Sequence, residues 1–422
     1  MLKRKRLTVV ALLVLLFGAG AWTAGDSGEE CTSLVATAGG TVDGAPLLWK
    51  NRDNPSALSN KVVFVEEQPY SYLALINAEH VNGRLVWAGL NSAGFAVANT
   101  ATDNLPAAPA PSAGGTAAGA ASGMGSANPS IIMADAVRTC ATVDEFEQFL
   151  KRNLGRETMT RSNFLALDAG GHASIFETHA LGFKRMNASD TPEKYIGNTN
   201  FSRSGETDKG HGYLRFDRES VLLKAAPGGR LSTEYILQIM SRDLGHPLLN
   251  HPERAEWSNL PADRPVWLHT NYTINRPSTA SVFIVHGVRP GENPKRTTMW
   301  VVLGEPLTSI AVPLWVAAGQ PPAEMWEGKD APLSLEAARI KDLLRPLTSV
   351  ERDEYLDVTR LDNAAGTGWL PATLAAERET LRKTEQLLKG NPTPAELAAF
   401  EKAAAARALN VLKGIGAKQG GD

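Results

Sequence analysis

The residues best suited to chemistry are Glu30-Cys31-Thr32, followed after a short interval by Lys50-Asn51-Arg52-Asp53. Cys31 lies just past a hydrophobic N-terminal segment and is one of only two cysteines, the other being Cys140. A cut before Cys31 would turn its nitrogen into an α-amine. Such an amine has an ordinary pKa of about 7.7–8.0, beside a thiol at about 8.5. At neutral pH part of the amine is free base, so it can take the thiol proton directly or through one water. Nucleophile and base are then one residue, and no histidine is needed. A carboxylate near the amine would orient it, and a cation near the thiolate would lower the thiol pKa. Asp53 and either Lys50 or Arg52 come into range if the strands on either side of the Gly39 to Gly44 turns pair with each other. The oxyanion then needs donors, from asparagine amides or backbone N–H groups, each worth about 10²–10³ in rate.

Rival chemistries have weaker support. The sequence has no Walker loop, G-x-G-x-x-G or H-E-x-x-H motif. His246 and His251 are the nearest spaced histidines, with Pro247 between them and no acidic residue, which is a poor start for a metal site. No metal or cofactor is expected. Ser-His-Asp catalysis has no G-x-S-x-G elbow to carry it. A Cys31–Cys140 disulfide is the plainer alternative for an exported chain, and Cys140 in an apolar helix is most simply a buried thiol.

The elements that must position these residues follow from patterning. Lys3 to Arg6, the apolar run Leu7 to Trp22 and the small residues Thr23-Ala24-Gly25 read as a cleaved export signal over 1–25. The run is shorter than the ~20 residues a membrane span needs. A short acidic propeptide, 26–30, then precedes Cys31. The expected location is the periplasm or outside the cell, with membrane contact only through an uncut leader. The chain has 422 residues and a net charge of −2, with no basic excess to suggest nucleic acid. A small-molecule substrate is the expected partner, and self-association is left open.

From Cys31 onward, short alternating or apolar runs punctuated by Gly and Asn turns predict strands at 33–38, 46–49, 61–66, 70–77, 84–90 and 95–99. Residues 104–130 are almost wholly Ala, Gly, Pro and Ser and predict a flexible loop. Helices follow at 131–140 and after the Thr142 to Glu145 capping box. Strands are expected at 164–167, 173–177, 183–186, 195–196, 281–286 and 299–303, with helices at 214–225 and 233–241. After Pro332 the pattern is helical, so 333–422 reads as a helical C-terminal extension of a 31–332 catalytic domain. Two sheets with helices outside fit this order.

At this point the motifs resemble a family. Cys31-Thr32, the Asp43-Gly44 turn and Lys50-Asn51-Arg52-Asp53 are similar to the opening of the cysteine N-terminal nucleophile (Ntn) hydrolases. The relevant branch contains choloylglycine hydrolases, penicillin V acylases and penicillin acyltransferase-like proteins. Gly89 to Asn99, Gly197-Asn198-Thr199-Asn200-Phe201 and Leu214-Arg215-Phe216-Asp217-Arg218 resemble its later motifs in order. The resemblance covers about residues 31 to 315. It implies an α+β fold, the αββα four-layer sandwich, and hydrolysis of linear amides after autoproteolysis. By the same resemblance Cys31 is the nucleophile, Asp53 holds its amine, Asn99 and Asn200 stabilise the oxyanion, and Arg215 is a supporting charge. Lys50 stands where bile-salt and penicillin V members usually carry arginine. A point charge replaces a planar fork there, which favours the broader acyltransferase-like branch. Acyl transfer through the same thioester is the first alternative. A non-catalytic envelope protein that binds a partner through its helical tail is the second.

Overall fold

The computed structural model describes residues 30–54, 59–80, 84–106, 128–154, 160–349 and 354–416. The expected leader, all of the short propeptide except Glu30, the Asn82-Gly83 turn and residues 107–127 of the Ala/Gly/Pro-rich loop lie outside them. In chain order the strands are β1 (Cys31–Ala36), β2 (Leu47–Asp53), β3 (Asn60–Val65), β4 (Tyr72–Asn77), β5 (Ala88–Asn91), β6 (Ala96–Ala101), β7 (Ser162–Leu167), β8 (Ala173–His179), β9 (Gly182–Asn187), β10 (Tyr195–Asn198), β11 (Trp267–His269), β12 (Thr279–His286), β13 (Thr298–Leu303), β14 (Val312–Leu314) and β15 (Tyr355–Asp357). The helices are α1 (Pro129–Thr139), α2 (Val143–Asn153), α3 (Tyr213–Lys224), α4 (Thr233–Gln238), α5 (Ala323–Trp326), α6 (Pro332–Leu344), α7 (Leu370–Lys389) and α8 (Pro394–Lys413).

Two antiparallel sheets carry the fold. One has the order β10-β1-β2-β12-β13-β14, and the other runs β3 to β9 in sequence. Strands covered on both faces bury both sets of side chains, which is why β1 and β2 are buried at every position. Alternation assigns the faces. Val35 and Leu48 of the first sheet meet Leu73, Ala98 and Leu165 of the second between the sheets. On the far side of the second sheet, Val97, Phe164 and Phe176 pack against α1 and α2, where Phe146 sits among the rings. On the far side of the first, Leu34, Trp49 and Ile284 pack against α3, α4 and Leu381 of α7. The result is the four-layer αββα sandwich that the family resemblance implied, with the two sheets and outer helices that the pattern predicted.

Capping sets several helix starts. Thr142 accepts from the Glu145 N–H at 3.0 Å to open α2. Thr393 and Glu396 form a reciprocal capping box with Pro394 in the first turn of α8. The chain after Pro332 is not purely helical, since β15 pairs with β11 through Trp267↔Asp357 and Leu268↔Leu356. Its helices share the sandwich core. Ile340 and Leu344 of α6, Leu374 of α7 and Leu412 of α8 belong to the same buried cluster as Val35 and Leu48. Two fully buried ion pairs tie this part to the rest, Arg242 with Glu377 at 2.9 Å and Arg345 with Glu305 at 2.8 Å. Among the described residues no helix is long and apolar enough to cross a membrane.

Candidate active site

Cys31 opens β1, a strand flanked on both sides, so its backbone is fixed by two neighbours. The antiparallel register sets Cys31 opposite Arg52 on β2 and Ser33 opposite both Lys50 and Asn198. Paired residues share a face, so the side chains of Cys31, Ser33, Lys50 and Arg52 all point into the space between the sheets.

The strongest convergence is on the Glu30–Cys31 peptide bond. The Asp53 N–H donates to the Glu30 carbonyl oxygen at 3.0 Å. The Cys31 N–H donates to Asn200 Oδ1 at 2.7 Å. Arg215, in the first turn of α3, donates from Nη1 to the Cys31 carbonyl at 2.6 Å and to Thr32 Oγ1 at 3.1 Å. Its Nη2 donates to Asn200 Oδ1 at 2.9 Å and to Glu30 Oε2 at 3.1 Å. Two donors therefore meet at Asn200 Oδ1, which fixes the orientation of that amide, and its Nδ2 donates to the Ala101 carbonyl at 3.0 Å. Arg215 is aimed by the turn before it. Gly212, the N-cap, has φ +77°, and a Cβ there would sit 2.7 Å from Arg215 Nη2.

Asp53 is wholly buried. Its Oδ1 accepts from Thr279 Oγ1 at 2.7 Å, while Oδ2 has no hydrogen-bond partner among the described residues. Arg276 Nη1 lies 3.9 Å from that oxygen and is ion-paired with Glu30. Burial pushes the Asp53 carboxyl up to about 6, against the pull of Arg276 and Arg215. Glu30 goes the other way. Burial acts to raise it, but Arg276 and Arg215 together outweigh that and hold it below the usual carboxylate range.

Lys50 and Asn99 form a separate link. Lys50 Nζ donates to Asn99 Oδ1 at 3.0 Å and to the Trp87 carbonyl at 3.3 Å, and Asn99 Nδ2 donates to Ser162 Oγ at 3.2 Å. This chain crosses from the first sheet to the second. Arg52 lies over the Trp87 ring at 4.6 Å and donates to Asn60 Oδ1 at 3.1 Å. Of the residues singled out from sequence, Cys31, Asp53, Asn200 and Arg215 thus surround one peptide bond. Lys50 and Asn99 contact each other. The donor on the Glu30 carbonyl is the Asp53 backbone N–H, and Asn200 meets Cys31 through its oxygen.

Sequence reasoning missed Arg276, Thr279 and the side chain of Glu30. Arg276 sits in the turn before β12 and Thr279 is the first residue of that strand; β12 is the other neighbour of β2, with Thr279 opposite Asp53. The only signal was that β2 is central and needs a second partner. No disulfide joins Cys31 to Cys140. Cys140 caps the end of α1 in the outer layer, and burial pushes its thiol up to about 11, which leaves it a poor nucleophile. His246 Nδ1 accepts from the Leu248 and Leu249 N–H groups, so that ring serves a turn. Among the described residues no group of three or more His, Cys, Asp or Glu could hold a metal ion.

Comparison with known proteins adds the following. No curated protein sequence matches the chain. Solved structures similar to it include a conjugated bile acid hydrolase variant from Clostridium perfringens, at 10% identity over 68% of this chain and 92% of that one, TM-score 0.40. A Caenorhabditis elegans N-acylethanolamine-hydrolyzing acid amidase ortholog is similar at 15% identity over 62% and 94%, TM-score 0.32. Penicillin V acylase from Agrobacterium tumefaciens is similar at 13% identity over 68% and 86%, TM-score 0.34. Likeness at this level carries no functional assignment. Residues 41–224 match the family model described as acyl-coenzyme A:6-aminopenicillanic acid acyl-transferase, a range that contains Lys50, Asp53, Asn99, Asn200 and Arg215 but not Cys31. Over that range the chain matches the penicillin acyltransferase-like branch of the Ntn hydrolases that its motifs resemble.

Proposed function

We propose that the chain is the precursor of an exported cysteine amidase that cuts its own Glu30–Cys31 bond and then acts on linear amides through Cys31. The observation that carries this reading is the grip on that one bond. Its carbonyl oxygen receives the Asp53 N–H at 3.0 Å, and its N–H is held by Asn200 Oδ1 at 2.7 Å. A backbone donor already on the carbonyl is placed for the oxyanion that forms when the carbon is attacked.

The self-cutting step balances as follows. Cys31 Sγ adds to the Glu30 carbonyl carbon as the thiol gives up its proton. The C–N bond breaks with a proton delivered to the Cys31 nitrogen, leaving the Glu30 acyl group as a thioester on Sγ. Water hydrolyses the thioester to a Glu30 carboxylate and returns the thiol. The freed amine keeps Asn200 Oδ1 as an acceptor, and the unpartnered Asp53 Oδ2 is a second acceptor beside the cut bond. In turnover the amine takes the thiol proton and passes it to the leaving amine, and water releases the acid. The family description over 41–224 favours an amine acceptor as an alternative to water, which would make the same thioester a transfer intermediate.

The experiment is intact-mass analysis of the purified full chain together with turnover of amide substrates. The expected result is a mature N-terminus at Cys31 in the wild type and an uncut Glu30–Cys31 bond in Cys31→Ala. A different mature N-terminus, or a Cys31→Ala chain that still processes and turns over amides, would overturn the reading.

A further inference from the structure

We infer that the processed site selects acyl donors carrying a terminal carboxylate, and that Arg276, together with Arg215, is the residue that binds it. This rests on the amidase reading above. In the self-cutting step Glu30 supplies the acyl group, so Glu30 is the first substrate of the site and its side chain marks a path the acyl substituent can take. That side chain ends on two guanidiniums, Arg215 and Arg276. Arg276 is built in rather than draped on the surface. Its side chain is 9% exposed, and its Nη2 donates to Asn271 Oδ1 at 2.7 Å. Its Nε is buried without a hydrogen-bond partner among the described residues.

The charges change on processing. In the precursor two guanidiniums face two carboxylates, Glu30 and Asp53. Removal of residues 1–30 takes away Glu30 and leaves both cations, among the described residues, with the Asp53 carboxylate, whose Oδ2 is 3.9 Å from Arg276 Nη1 and not hydrogen-bonded to it. A buried cation stripped of its partner is costly, and a ligand that returns a carboxylate relieves that cost. Guanidinium matches carboxylate geometry better than it matches any neutral group. The reach is set by Glu30 itself. From its carbonyl carbon through Cα, Cβ and Cγ to the carboxylate carbon is the skeleton of a glutaryl group, so glutaryl amides are the simplest donors that copy it.

The test uses the full chain, processed to a Cys31 N-terminus as read by intact mass. kcat/KM is measured on the p-nitroanilides of glutaric acid, glutaric monoamide and pentanoic acid, and on pentanoyl-4-aminobenzoate, which carries its carboxylate on the amine side. The glutaryl compound is expected to lead both neutral acyl groups by about tenfold or more, as a charge-assisted contact allows. In Arg276→Gln that ratio falls to near one, and Arg276→Lys keeps part of it. If Arg276→Gln does not fold or process, wild-type enzyme reports instead, with glutarate inhibiting pentanoyl anilide turnover at about a tenth or less of the glutaramate concentration. Neutral acyl groups turned over as well as glutaryl, or a preference that follows the amine-side carboxylate, overturns the inference and leaves the amidase reading standing. A processed chain that turns over none of the four compounds overturns the amidase reading itself, and the inference with it.

Discussion

Replacing Asp53 with asparagine is expected to stabilise the uncut chain at neutral pH. The carboxyl is wholly buried, and its pKa stands at about 6 instead of 3.8. The folded state therefore holds a proton on Asp53 where the unfolded chain has already lost it, and stability falls as pH rises from about 4 to about 6. Two units at about 1.4 kcal/mol each make the buried anion cost about 3 kcal/mol above that window. The attraction of Arg276 and Arg215 is already inside that net value, because both lower the same pKa. Asparagine copies the neutral form, and its Oδ1 can still accept from Thr279 Oγ1. The comparison is best made on Cys31→Ala and Cys31→Ala/Asp53→Asn chains, so that neither is cut. Urea unfolding followed by tryptophan fluorescence should show no gap near pH 4 and a gap of about 3 kcal/mol, in favour of the asparagine chain, from about pH 6 upward. Equal stability at both ends of that range, or a gap that opens on acidification, would refute the placing of Asp53 as a strained buried anion.

Two more substitutions test how the site is held. Glu377→Gln leaves Arg242 fully buried without its counter-charge, and is expected to cost about 3–5 kcal/mol in a melting experiment; a loss no larger than that of Glu385→Gln, on the same helix, would show that the pair does not join α7 to the sandwich. Gly212→Ala puts a Cβ 2.7 Å from Arg215 Nη2 on a backbone with φ +77°, at about 1–2 kcal/mol of strain. Self-cutting, followed by intact mass over time, should slow, and an unchanged rate would show that the position of Arg215 is not needed.

The layer structure was legible because its signals are local. Alternation and turn residues located most of the strands, and the Thr142 and Thr393 capping residues located α2 and α8. The pairing of β1 with β2 was also legible, since a short turn-rich link leaves adjacent strands little choice. What stayed hidden depends on long-range closure. β12 sits beside β2 although Asp53 and its partner Thr279 are 226 positions apart in the chain, and no spacing rule reaches that far. Arg276 was invisible for the same reason. β15 was hidden in a helical stretch because three residues are too few to show a period. The side-chain amides were legible as residue types but not as orientations. The orientation of Asn200 depends on Arg215 reaching its oxygen from another element, which only the folded chain reveals.

If the proposed cut occurs, the arrangement would let an N-terminal nucleophile lie buried in the middle of a sheet without moving when it is released. Apart from Glu30, every described group that touches the Glu30–Cys31 bond belongs to the body that remains after the cut. β10 and β2 hold Cys31 from both sides through the Ser33↔Asn198 and Cys31↔Arg52 pairs. Asn200 holds its nitrogen, and Arg215 holds its carbonyl. Breaking one peptide bond removes the Glu30 contacts and none of these, so the freed amine is left where the amide was. The reorganisation is then electrostatic more than structural. It falls on Arg215 and Arg276, the cations that Glu30 had helped to balance, and on Asp53, which loses a like charge beside it. On the proposed reading, a precursor that assembles its active site around its own acyl group would leave behind a mature site whose missing charge matches what it releases.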